Sequence, residues 1–314
     1  MDRTLKQDVQ PPKSIHNTHA TGAVKLRAHL AMLSFSLLVA GSFSLGGMAA
    51  QHMPAAELQF IRYVISILVM AAMAVFIFRQ RLTIPVQPWR FAIYGMLMGT
   101  YMLTMFLALE ITSPVQTGAV FTLMPLASAV FAFIILRQHT RPGVFLSLLI
   151  AASGAIWVIF RGDVQAILRF DVGRGELIYF VGVLCHAAYV PLLRKLDRRE
   201  HPTVIGFWLS VAVSIYLLFP AAPQIAQTDF SAMPPIVWTA LAYLSVVTTA
   251  ITFLLIQYGS MRLPAPKVLA YNYLTPSFII ILEGLIGHGW ASPAVFAGAL
   301  VTACGLIVTG LLPD

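Results

Sequence analysis

The chain is poor in charge. Only 10% of its 314 residues are Asp, Glu, Lys or Arg, against about a quarter in a soluble domain. With 59% of the residues apolar, no water-facing surface can be built at this length, and a soluble globular fold is excluded. Cysteine is nearly absent. The two present, Cys185 and Cys304, lie inside apolar runs. That excludes a disulfide scaffold and offers no metal-ligand spacing, so no metal or cofactor is expected. No phosphate-binding Gly-rich loop ending in Lys-Ser/Thr occurs, so the chain has no P-loop with which to use ATP. The net charge of +8 is spread over short connections rather than gathered on one unit, which excludes nucleic acid as a partner.

What the chain does have is long apolar runs. Ten are long enough to cross a hydrocarbon core of about 30 Å as helices: 28–49, 57–78, 89–109, 114–136, 142–161, 175–193, 202–219, 236–258, 265–287 and 291–312. The expected fold is an all-α polytopic membrane protein with ten transmembrane helices. Residues 1–27 are polar, with Pro11 and Pro12, and read as a disordered cytoplasmic tail. The first apolar run is longer than a signal-peptide core of about 7–15 residues, so it is expected to be retained.

The basic residues orient the spans. With the N-terminus in the cytoplasm, the inner segments hold 16 of the 20 Lys and Arg residues. The outer loops hold three, Arg161, Arg169 and Arg174, and Arg62 falls inside a span. This asymmetry predicts both termini on the cytoplasmic side of a plasma (inner) membrane. Trp89, Trp238 and Trp290 fall at predicted interfaces, Trp157 lies near one, and Trp208 is expected to pack between helices.

The chain also repeats itself. Shifting it by 151 residues lays Thr112–Pro125 over Leu263–Pro276 and gives 11 identities over positions 112–156, including Pro125/Pro276, Pro142/Pro293 and Gly154/Gly305. Two halves of five spans enter the membrane from opposite sides, because five is odd. The expected organisation is a first repeat at 28–161, an outer linker at 162–174 and a second repeat at 175–312. Inverted repeats of this kind are a common architecture of secondary transporters, with the solute near the midplane between the halves.

Several local patterns strengthen this reading. "LQFIRYVIS" (58–66) carries an arginine in the second span, and Pro125 and Pro276 lie within spans four and nine. "PGVFLSLLIAASGAIWV" (142–158) and "SPAVFAGALVTACGLIV" (292–308) share a late glycine. In these features, over residues 28–312, the chain resembles the EamA branch of the drug/metabolite transporter superfamily. The resemblance implies export or uptake of a small metabolite, often amino-acid-like. The family's common Gly-Glu pair at the ends of helices four and nine is replaced here by Arg137-Gln138 and His288-Gly289.

Polar residues inside the spans need a reason, since a charge there costs from about 2.5 kcal/mol upward. Arg62 either snorkels and braces helices or meets solute. Glu283 lies at a similar depth on the same side, so an Arg62–Glu283 pair is one possibility. Lys267 either marks the cytoplasmic boundary or reaches the pathway. Asn272 shares a helical stripe with Glu283, and a buried amide must find a hydrogen bond. Tyr101, Gln116, His186, Tyr189, Thr252 and Tyr271 complete the candidate pathway, and His186 and Glu283 are the candidate proton carriers. Pro125 and Pro276 are expected to kink their helices. The implied partners are a small solute and membrane lipid, with the chain a monomer or homodimer. The alternative reading is a membrane enzyme or flippase acting on a lipid-linked substrate. It would use an acidic loop face, and the only candidate, Asp163, Asp171 and Glu176, reads as a solvated loop.

Overall fold

The computed structural model describes residues 22–263 and 265–311. Residues 1–21, Pro264 and residues 312–314 lie outside this range. Nine helices are long and apolar enough to cross a membrane among the described residues. They are α1 (Gly22–Ala50), α2 (Ala55–Ile77), α3 (Trp89–Leu109), α4 (Pro114–Leu136), α5 (Pro142–Ile159), α6 (Arg174–Lys195), α7 (Pro202–Ile225), α8 (Pro235–Ser260) and α9 (Lys267–Ile286). α10 (Pro293–Leu311) follows, with a shorter apolar stretch, Pro293–Val308. The described residues contain no strand. α1 begins at Gly22, so residues 22–27 belong to a helix and not to the expected tail.

The helix contacts are pseudo-symmetric. Moving each helix five places along the chain carries the α3–α6 contact onto α8–α1, α4–α6 onto α9–α1, and α3–α7 onto α8–α2; all six contacts are present. α2–α7, α4–α9 and α5–α10 map onto themselves and are also present. Ten helices thus form two inverted five-helix repeats, and each repeat covers the apolar faces of the other. The outward surface is greasy: Leu68, Phe76, Phe219 and Leu285 are strongly exposed. Trp89, Trp238 and Trp290 stand exposed at helix ends, where an amphipathic ring meets both lipid and water. Trp208 packs against the core and donates to the Thr83 carbonyl at 2.9 Å.

The α5–α10 pair is the closest packed. A Cβ at Gly154 would lie 2.5 Å from the Thr302 nitrogen and 2.6 Å from the Gly298 carbonyl oxygen. Only glycine permits that backbone approach. Trp157 crosses the same seam and donates to the Ala294 carbonyl at 2.9 Å.

Four spans are irregular. α2 ends in a π-helical stretch, Met73–Ile77. α4 breaks after Phe121 and restarts at Met124. α9 passes through a 3₁₀ stretch, Tyr271–Leu274, before restarting at Thr275. In each case the proline is the second residue of the new segment, Pro125 and Pro276. The expected mid-helix kinks are therefore segment boundaries. A proline in the first turn displaces no helical hydrogen bond, because the N–H groups there have no partner within the helix. α8 widens into a π-helical stretch, Tyr243–Ile251. Such stretches rotate side chains out of α register, often at functional sites.

Candidate functional site

The π-helical stretch of α8 faces α2. On α2, Gln59, Arg62 and Ser66 fall on one stripe at spacings of three and four. Arg62 is 6% exposed. Its Nη1 donates to Gln59 Oε1 at 3.1 Å and to Met102 Sδ at 3.4 Å, and its Nη2 donates to Thr248 Oγ1 at 3.2 Å. Ser245 Oγ donates to the Arg62 carbonyl at 3.2 Å, and Ser66 and Thr249 bond one turn away at 3.3 Å. Ser245, Thr248 and Thr249 share one face of α8 and line this one seam. Every partner of the guanidinium is neutral. Arg62 Nε and Gln59 Nε2 are buried and have no acceptor. Two unsatisfied buried donors side by side ask for an anion, since such groups cost about 1–3 kcal/mol each when left unpaired.

An aromatic wall stands beside them. Met102, which touches Arg62, follows Tyr101 on α3. Tyr101 stacks on Tyr179 at 5.8 Å between centroids and lies 4.6 Å from the His186 ring. His186 in turn lies 5.8 Å from Tyr189, which meets Tyr94 edge-on at 5.6 Å. Tyr179 Oη donates to Tyr101 Oη at 3.3 Å. His186 Nδ1 reaches Met124 Sδ at 3.0 Å, at the restart of α4. The predicted residues Tyr101, His186 and Tyr189 are thus brought together, with Arg62 at their edge.

The other predicted residues are elsewhere. Arg62 and Glu283 do not pair: Glu283 Oε2 lies 2.8 Å from His288 Nδ1, at the far end of α9. Similar distances from the span ends suggested the pair, but the two side chains meet different partners. Glu283 lines a cavity of about 390 Å³ with Ser44, Gln51, His52 and Thr112. Gln116 joins a cluster at the same end. In the amide orientation that suits its neighbours it donates to Thr112 Oγ1 at 2.9 Å and Glu176 Oε1 at 3.2 Å, and accepts from Arg161 Nε. Glu176 is buried and also accepts from Thr112 at 2.9 Å, so it is a helix-end brace rather than part of a solvated loop. Glu110, next to the α3 terminus, accepts from the Ala55 backbone N–H at 2.9 Å. Burial raises its carboxyl above the ordinary range, with that bond pulling the other way.

At the opposite end of α9, Tyr271 Oη lies 2.7 Å from His29 Nδ1, and the Tyr271 carbonyl accepts from Ser36 at 2.8 Å. Tyr271 is therefore a brace between α1 and α9. Thr252 Oγ1 bonds back to the Thr248 carbonyl at 2.8 Å, the usual self-satisfaction of a helical threonine. Lys267 is half-buried in the first turns of α9. Asn272 and Thr275 flank the α9 restart, and Asn272 Oδ1 and Thr275 Oγ1 are buried without partners.

Sequence reasoning missed Gln59, Tyr63, Tyr179 and Ser44. Gln59 had a signal: it stands three residues before Arg62 on the same stripe. The Arg62 carbon lies 5.5 Å from the Tyr63 ring centroid. Among the described residues no group of three or more His, Cys, Asp or Glu is placed to hold a metal ion.

The profile of the EamA-like transporter family matches residues 26–160 and 173–311. An uncharacterized transporter of Bacillus subtilis (strain 168), YyaM, is 28% identical over 214 residues, covering 66% of this chain and 68% of that protein. The aromatic amino acid exporter YddG of Ancylobacter novellus is 26% identical over 231 residues, covering 71% of this chain and 75% of that one. A solved crystal structure at 20% identity superposes with a TM-score of 0.64, over 93% of this chain and 99% of the other. That last likeness concerns the fold alone.

Proposed function

This chain belongs to the EamA-like transporter family, and from that premise we propose that it exports a small amino-acid-like solute by alternating access between its repeats. The observation that carries the substrate class is the Arg62–Gln59 pair. Its two unpartnered buried donors fit a carboxylate, which accepts several hydrogen bonds at once. The neighbouring wall of Tyr101, His186 and Tyr189 fits a flat apolar body. A relative named as an aromatic amino acid exporter supports the same class.

Charge supports an orientation and a setting. Sixteen of 20 basic residues fall on one side, which supports cytoplasmic termini in the plasma membrane. The cavity lined by Glu283 then faces outward, and the end of the bundle where α3 begins faces the cytoplasm. The solute binds Arg62 and the aromatic wall, the repeats rock about the α4 and α9 restarts, and the solute leaves by the outer cavity. Asn272, Thr275, Pro125 and Pro276 lie at those restarts. Gln116 and Lys267 stand at opposite ends of the route, and Tyr271 and Thr252 shape it from behind. His186 and Glu283 are the groups that would carry a proton if export is coupled to one. The working unit is a monomer or homodimer.

Flux in proteoliposomes tests this. Radiolabelled phenylalanine should exchange across vesicles holding the full chain, and Arg62→Gln should abolish the exchange while the purified variant stays folded. Undiminished exchange by Arg62→Gln would remove Arg62 from the site. No exchange across a panel of amino acids, together with turnover of a lipid substrate, would overturn the transporter reading in favour of the enzyme or flippase.

A further inference from the structure

The site at Arg62 offers only donors. The cavity at the far end of α9 offers the reverse. It measures about 390 Å³, and its two most deeply buried polar groups are Ser44 from α1, 1% exposed, and Glu283 from α9, 7% exposed. Glu283 Oε2 is taken by His288 at 2.8 Å. Glu283 Oε1 and Ser44 Oγ are buried with no partner. Among the described residues no lysine or arginine pairs with Glu283. His288 engages Oε2 alone, so Oε1 keeps an open acceptor position. The cavity therefore holds a buried carboxyl group with a free acceptor oxygen, beside a hydroxyl that can also accept.

We infer that this cavity is a binding site for the primary ammonium group of a small organic molecule, with Glu283 Oε1 and Ser44 Oγ as its acceptors. An ammonium carries three donors and one positive charge, and so matches both acceptors and the carboxylate. The size argues against a bare ion: a hard metal cation asks for six or more close oxygens in a small cage, and this space is far larger. Leu109, Met48 and Ile236 also line the cavity and give an apolar bed for the rest of the molecule. Ser44 and Leu109 belong to the first repeat, Glu283 and Ile236 to the second. Relative motion of the repeats would reshape the site.

That the site is the last station of an exported solute rests on the transporter reading above; its preference for ammonium does not. Together the two sites describe a zwitterion: a carboxylate at Arg62, and an ammonium at Glu283 on the way out.

Calorimetry on the detergent-purified full chain tests the site directly, with phenethylammonium as probe and 2-phenylethanol as its uncharged control. Wild type should bind the amine at least about tenfold more tightly than the alcohol, and Glu283→Gln should lose that margin while keeping alcohol binding. Ser44→Ala should weaken the amine by a smaller factor. Glu283→Asp, which keeps the charge, should retain a preference for the amine; it serves also if Glu283→Gln does not fold. Equal binding of amine and alcohol by wild type, or an unchanged preference in Glu283→Gln, overturns the inference. Absence of phenylalanine flux with amine binding intact would instead overturn the transporter reading and leave the site standing.

Discussion

Arg90 and Arg62 are both buried arginines in apolar helices, and they could hardly be treated more differently. Arg90 is 1% exposed, yet it is fully engaged. It pairs with Glu200 at 2.7 Å and bonds the Leu196 carbonyl at 2.7 Å and the Gln87 carbonyl at 3.3 Å. It ties α3 to the loop between α6 and α7. Arg62 has neutral partners, no carboxylate and an idle Nε. A buried charge is tolerated when its surroundings satisfy it. Arg90 is satisfied by the protein. Arg62 is only partly so, and under the proposed function its missing acceptor is the carboxylate of the solute. On that reading the same residue type is mortar in one place and a receptor in another, and the unfilled hydrogen bonds mark the difference.

The largest expected effect separates the two. Arg90→Met leaves Glu200 and two or more carbonyls without their donor and should cost about 3–5 kcal/mol of stability. Arg62→Met removes an incompletely solvated charge and leaves only neutral groups behind, of which Thr248 keeps its bond to the Leu244 carbonyl. Its stability should change by about 1 kcal/mol or less, while transport is lost. Thermal unfolding of both variants in the same detergent makes the comparison. Equal destabilisation would mean that Arg62 is mortar too.

A second comparison lies within the repeat. Gly154 and Gly305 occupy matched positions in α5 and α10, but the approach is tighter at Gly154. A Cβ there would lie 2.5 Å from backbone nitrogen, whereas at Gly305 the nearest atoms are at 3.0 Å. Gly154→Ala should cost about 1–3 kcal/mol through overpacking. Gly305→Ala should cost clearly less, because a shift of a few tenths of an ångström relieves it. A larger loss at Gly305 on thermal melts would show that the two sides of the seam do not yield alike.

Much of this architecture was legible beforehand. Span boundaries at 89–109 and 114–136 agree with the helices, because apolar run length and bilayer thickness are tied by the helix rise. The repeat was legible because prolines and glycines mark backbone events that both halves must make. Tyr101, His186 and Tyr189 were chosen separately and meet in one wall. What stayed hidden was position around the bundle. Arg62 and Glu283 looked alike in their distance from the span ends, but their partners are different residues, and sequence spacing does not report partners. Glu176 looked like a loop charge because its burial comes from Thr112, 64 residues away. Gln59 and Ser44 were hidden by being uncharged. The π stretch of α8 was hidden because Ser245, Thr248 and Thr249 keep the spacing of an ordinary α-helix.

The smallest expected effect concerns the two prolines. A proline that interrupts an otherwise continuous helix costs about 3 kcal/mol, so replacing it with alanine should return a comparable amount. Pro125 and Pro276 do not sit in continuous helices. Before Pro125 the backbone has already tightened, with Thr122 and Leu123 donating to carbonyls three residues back, at 3.1 Å each. Before Pro276 the chain runs through the 3₁₀ stretch Tyr271–Leu274. In both spans the break precedes the proline, and alanine would inherit an N–H with no helical partner waiting for it. Pro125→Ala and Pro276→Ala should each shift stability by less than about 1 kcal/mol. Of the two, Pro276→Ala should shift it more, since Pro276 is buried and Pro125 only partly so. Thermal melts of the pair decide the matter. A gain near 3 kcal/mol in either would mean that proline itself holds that helix open, whereas near-neutral values assign the breaks to packing around Thr122 and Thr275, where the two repeats meet.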